Sequence, residues 1–95
     1  MKLLSLFPSK HALHKLNLKY KISHTIKNFQ LRIKKSLFDK KHRSYIVKVR
    51  LFGKVYFIIY SERTIKTVIE LSDIDLKNPI MREALNLPLS EAIVK

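Results

Sequence analysis

The chain has 95 residues, 46% of them apolar, which supports one packed domain and leaves too little length for two. One glycine and three prolines exclude a collagenous or low-complexity polymer, and the absence of cysteine excludes disulfides and thiolate metal sites. Twenty Lys and Arg against seven Asp and Glu give a formal net charge of +13, a field that draws phosphates and other polyanions.

That charge is unevenly placed. Residues 1–54 hold fifteen of the cations and one acid, Asp39, whereas residues 55–95 hold five cations and six acids. All four histidines also fall in the first part. Cations that neutralise phosphates release counterions, so a nucleic acid should bind such a surface tightly at low salt and weakly at high salt. Simple solubility and an anionic membrane surface are the competing readings of the same charge.

In chain order, residues 1–8 begin like a secretory signal, but the apolar run is short and Pro8 ends it. The segment is read as part of the fold. No stretch approaches the roughly 18 apolar residues of a transmembrane helix, and the expected compartment is the cytoplasm. Ser9 predicts an N-cap and a helix to about Leu18, with Leu13 and Leu16 at i, i+3. Ile22, Ile26, Phe29, Ile33 and Leu37 recur at helical spacing. They predict a second helix, amphipathic and basic, with Ser23 or Thr25 as its cap. Asp39-Lys40-Lys41-His42-Arg43 reads as a loop.

The apolar period then drops to two. Ser44 to Leu51 sets Tyr45, Val47, Val49 and Leu51 against Ile46, Lys48 and Arg50. Gly53 marks a hairpin, because it tolerates positive φ. Val55 to Tyr60 is apolar on both faces, as in a central strand, and Thr64 to Leu71 places Ile65, Thr67, Ile69 and Leu71 together. Three strands with short turns predict an antiparallel meander. Asn78-Pro79 resembles a cap with proline at the first helical position, opening a short helix from Ile80 to Leu87. Pro88 forces a restart before Ser90 to Val94.

The expected fold is a single α+β domain over residues 1–95. Two N-terminal helices (1–38) pack on a three-stranded antiparallel β-meander (44–71), followed by a short C-terminal helical tail (72–95). The stripe Ile22, Ile26, Phe29 and Ile33 should bury against Val47, Val49 and Ile65.

The other sheet face would carry Lys48, Arg50 and Lys66 beside one aromatic set of the middle strand, Tyr56 with Tyr60 or Phe57 alone. With Lys34 and Lys35 of the second helix, these cations are the candidate nucleic-acid contacts. In the competing arrangement the C-terminal helix covers that face and leaves the cations at its rim. Thr67, a hydroxyl between Ile65 and Ile69, is either bonded locally or placed at the margin of a cleft. His11 and His14 share a helical spacing but have no clustered third ligand, so no metal site is expected. His24 and His42 read as parts of the solvated basic surface. There is no Gly-rich phosphate loop, no acidic set for magnesium and no Ser-His-Asp pattern, and no cofactor is expected. Chemistry on a nucleic acid would then be metal-independent, with histidine as proton donor or acceptor. That favours RNA over DNA, since the 2′-hydroxyl can attack the adjacent phosphate.

Ser9-Lys10-His11, continuing Ala12-Leu13, resembles the opening of small RelE-like domains in the barnase–EndoU–colicin–RelE ribonuclease superfamily. The strand Arg63-Thr64-Ile65-Lys66-Thr67-Val68 resembles the one that ends their meander, so the resemblance spans about residues 9–71. It implies a metal-independent, toxin-type endoribonuclease, often paired with an antitoxin. By that resemblance His11, Lys48 or Arg50, and Thr67 would line the catalytic cleft. Without it, the charge alone fits a non-catalytic RNA- or DNA-binding protein of phage, plasmid or ribosome-associated type.

Overall fold

The structure, a computed structural model, describes residues 2–22 and 26–94. Its β-strands are β1 (Lys2–Pro8), β2 (Phe29–Ile33), β3 (Leu37–Asp39), β4 (Ser44–Leu51), β5 (Lys54–Ser61), β6 (Thr64–Glu70) and β7 (Leu89–Val94). Helix α1 (Lys10–His14) continues as a π-helical stretch, Lys15–Lys19, and α2 (Pro79–Ala84) precedes β7. The strands run in the order β3-β4-β5-β6-β1-β2-β7, and β7 also pairs with β4, closing a six-stranded barrel. The first half of β4 pairs with β3 on the edge where its second half pairs with β7.

The predicted meander is present as β4, β5 and β6. Val47, Val49, Leu51, Tyr56, Ile58 and Ile65 point inward and are almost fully buried. Phe52 and Gly53 both take positive φ in the two-residue β4–β5 turn, which matches the twist of the strands it joins.

The expected α+β arrangement of two helices on a three-stranded sheet is corrected: the chain is mostly β and closed. Over the described residues the second helix is absent. Phe29, Leu31 and Ile33 carry a period of two as readily as Ile26, Phe29 and Ile33 carry a helical one, and β2 realises the former. Its partners decide the choice. Antiparallel β1 pairs Leu4 with Leu31 and Leu6 with Phe29, so a strand buries a face that a helix would share with Lys and Arg. Ile22, Ile26 and Phe29 still join the core of Val47, Val49 and Ile65, but from loop and strand. Ser23, His24 and Thr25 lie outside the described residues. Residues 90–94 are likewise strand, not helix, with Ala92 and Val94 against the barrel core.

Ser9 caps α1 as expected, its hydroxyl accepting from the Ala12 N–H at 3.1 Å. Ala12, Leu16 and Tyr20 join the barrel core from this helical segment. Asn78 caps α2 with Pro79 at the helix start, also as expected. Met81, Ala84 and Leu87 bury Ile46 and Phe57 on the outer face of β4 and β5, forming a second, smaller core. Among the described residues no helix is long and apolar enough to cross a membrane.

Candidate nucleic-acid interface

The β3–β4 hairpin concentrates what a phosphodiester strand needs. Its tip, Lys40 to Arg43, is exposed and cationic, and the exposed Lys34 and Lys35 lie on the approach to β3. Asp39 shapes the tip by accepting from the backbone N–H groups of Lys41 and His42. Its other carboxylate oxygen meets His42 Nδ1 at 2.8 Å, and that bond is the main reason its carboxyl sits below the usual range.

Phe38 and Tyr45 face each other across this hairpin. Their ring centroids are 4.9 Å apart, and Tyr45 stacks in turn on Tyr60 at 5.5 Å with planes 23° apart. Tyr60 is buried, whereas Tyr45 is 41% and Phe38 47% exposed. A rooted ladder of three rings therefore rises from the barrel interior to solvent. A hollow of ≈ 220 Å³ lies against Tyr45 and Tyr60. Burial holds the Tyr60 phenol above its ordinary pKa, so the root of the ladder stays neutral.

The sequence-predicted cations fall in separate places. Lys34 and Arg50 flank a shallow groove of ≈ 380 Å³ along Leu89 to Ala92, where the Lys34 N–H donates to Ser90 Oγ at 3.0 Å. Lys48 is drawn beneath the C-terminal segment, donating to the Leu85 carbonyl at 2.9 Å. The face it shares with Phe57 is covered by α2, as in the competing arrangement. Tyr56, Phe57 and Tyr60 are all buried, so none of the middle-strand aromatics offers an open platform.

Lys66 and Thr67 lie elsewhere, on a cleft between the outer face of β4–β6 and the segment leading to α2. A β-bulge puts them there. Tyr60 pairs with Ile65 and Ile59 with Thr67, leaving Lys66 as the extra residue. Ile65 thus faces inward while Thr67 and Ile69 turn outward, so the expected shared face of Ile65, Thr67 and Ile69 is broken. The Ser9 hydroxyl donates to the Lys66 carbonyl at 3.2 Å, tying the cap of α1 to the bulge. Lys66 Nζ donates to the His42 carbonyl and to Ser44 Oγ, and Lys15 Nζ donates to Thr67 Oγ1 at 3.3 Å. Burial, then the neighbouring Lys19, hold the Lys15 ammonium below its ordinary pKa.

His11 is exposed on α1, one helical turn before Lys15, and does not line that cleft. His11, Lys48, Arg50 and Thr67 are therefore not brought into one cavity. Among the described residues no group of three or more His, Asp or Glu side chains is arranged to hold a metal. Sequence reasoning missed the Phe38–Tyr45 pair by assigning Phe38 to a helix end and Tyr45 to a covered sheet face. The available signal was an aromatic on each side of a short cationic run, Phe38 to Tyr45, which a hairpin brings together.

Comparison with family models, with curated proteins and with solved structures yields no match in any of the three.

Proposed function

We propose that the protein binds single-stranded nucleic acid on the β3–β4 hairpin, RNA before DNA, without cleaving it. The ring ladder Phe38–Tyr45–Tyr60, bracketed by Lys34, Lys35, Lys40, Lys41 and Arg43, carries this reading. Two large aromatic side chains standing in solvent beside a cationic turn are poor for solubility alone. They match the combination that holds unpaired strands, cations on the phosphates and rings on the base faces. A duplex hides those faces, and RNA presents them in loops and single-stranded ends. Binding takes precedence over cleavage because acid–base chemistry needs its donor, acceptor and cation at one phosphate, and His11 lies outside the cleft of Lys66 and Thr67.

Anisotropy of a labelled ten-nucleotide RNA, titrated across a salt series, tests the proposal. Phe38→Ala and Tyr45→Ala should each weaken binding between about fivefold and a hundredfold without changing the salt slope. Replacing Lys40, Lys41 and Arg43 by Ala should flatten that slope by about 0.7 for each phosphate no longer neutralised. No binding at low salt, or affinity indifferent to both rings, would remove the proposal. Incubation with RNA in EDTA should leave it intact. Cleavage to 2′,3′-cyclic phosphate ends, lost in His11→Ala, would restore the ribonuclease reading instead.

A further inference from the structure

The outer-face cleft is separate from the ring ladder but shares the hairpin with it. Its volume is ≈ 380 Å³, within the range of about 300–1,000 Å³ typical of small-molecule sites. Ile46 and Ile59, paired across β4 and β5, form an apolar floor with Ile69, which lies two residues beyond Ile59's partner Thr67 on β6, and Met81 of α2 adds an adaptable thioether wall. The bulge at Lys66 completes the floor by turning Ile69 and Thr67 outward.

The rim is polar, and each group has one side of its bonding capacity already engaged. Thr67 Oγ1 accepts from Lys15, which leaves its own proton to donate. Asn78 Oδ1 accepts from the Ile80 N–H, leaving the amide NH₂. Asp75 Oδ1 accepts from the Lys77 N–H, leaving the other oxygen as an acceptor. Oriented donors and an acceptor around a flat apolar floor suit a planar heterocycle with a hydrogen-bonding edge. A phosphate does not suit the site, because Asp39, Asp73 and Asp75 all line it.

We infer that this cleft receives one unstacked nucleobase of the strand held on the hairpin, preferring a base with an exocyclic amino group; the inference rests on the proposed function. Continuity of the chain supports it. Asp39, His42 and Ser44 line the cleft while Lys40, Lys41 and Arg43 of the same turn face solvent. A strand whose phosphates lie on the turn passes the mouth of the cleft, and one base can leave the ring ladder to enter it. The carboxylate rim accepts from the amino groups of cytosine or adenine, whereas uracil offers it only the single ring N3–H.

Methyl-labelled protein titrated with hexacytidylate, hexauridylate and an abasic hexamer, followed by NMR and anisotropy, tests the inference. Hexacytidylate should shift the Ile46, Ile59, Ile69 and Met81 methyls and bind at least about fivefold tighter than the abasic strand. Ile59→Trp, which fills the cleft from a half-buried position, should reduce that advantage to the part supplied by the hairpin rings while keeping the salt slope. Asp75→Asn should narrow the preference for cytosine over uracil while leaving the spectrum of the barrel core unchanged. Strand binding that shifts only signals around Phe38 and Tyr45, and that is indifferent to Ile59→Trp, overturns the inference and leaves the hairpin proposal standing. Absence of strand binding by the wild-type protein at low salt overturns both.

Discussion

The two halves of the barrel are built by different routes. Strands β4, β5 and β6 follow one another through two-residue turns, so each pairs with its sequence neighbour. Strands β1, β2 and β7 are gathered from both ends of the chain, and β2 pairs with β7 across about sixty residues. The first half needs turn chemistry and alternation, both local properties. The second needs loop closure, whose entropy must be offset before any contact forms. One consequence is that the local half announces itself in sequence, while the closing half has no identity until its partners arrive.

Substitutions in the closing half sharpen this contrast most. Leu31 is fully buried between β1 and β7, although a helix would have placed it off the apolar stripe. Leu31→Ala should therefore lower stability by about 2–5 kcal/mol, measured by urea denaturation. The exposed Arg32 beside it pairs with Glu91 at 3.8 Å on the surface, and Arg32→Ala should change stability by less than about 1 kcal/mol. Similar small losses from both would mean that β2 is not a barrel strand.

The next effect is set by alkaline pH at the joint between the helical segment and β6. The Tyr20 hydroxyl donates to Asp73 Oδ2 at 3.0 Å and accepts from the Glu70 N–H at 2.9 Å. Its ring meets Tyr56 edge-on at 5.4 Å. Burial first, with the Asp73 carboxylate adding to it, pushes the phenol up from 10.0 to about 12. A raised folded-state pKa means that the neutral phenol favours folding. That stability should be complete below pH 10 and lost as pH rises toward 12. Tyr20→Phe should remove much of this alkaline dependence, and denaturation curves superimposable for both proteins between those pH values would contradict it.

The smallest effect probes the seam where the halves meet. β1 joins β6 through only two parallel pairs, Phe7 with Thr64 and Pro8 with Ile65. The backbone bond from Ser9 N–H to Ile65 O at 3.0 Å extends it, and the Ser9 side chain serves both α1 and the bulge. Ser9→Ala should cost about 1 kcal/mol, the ordinary value of an N-cap. Hydrogen exchange should show faster opening at the Lys66 bulge than in the β4–β5 ladder. A change confined to α1 would show that the cap does not hold the seam.

Much of the candidate site was legible only in part. The cationic run Lys40 to Arg43 and the strand alternation that turns Lys48 and Arg50 outward could be read directly. What they became could not. Lys48 was turned to the Leu85 carbonyl by a segment more than thirty residues away, and Thr67 was moved to the other face by one unpaired residue. Alternation has a period of two, so a single bulge reverses every inference downstream of it.

By itself the sequence determined the basic field, the strands β4 to β6 with their Gly53 turn, and the capped starts of α1 and α2. Each is set by residues within a few positions, through side-chain charge, φ preference or a hydroxyl beside an open backbone N–H. Tertiary structure alone decided that Phe29 to Ile33 and Leu89 to Val94 are strands, that the sheet closes, and that Phe38 and Tyr45 stand on Tyr60. Both segments satisfy a helical and an extended pattern. The choice fell to the extended form because only strands could supply the N–H and C=O partners that β1 and β4 would otherwise lack at the open edges of the barrel.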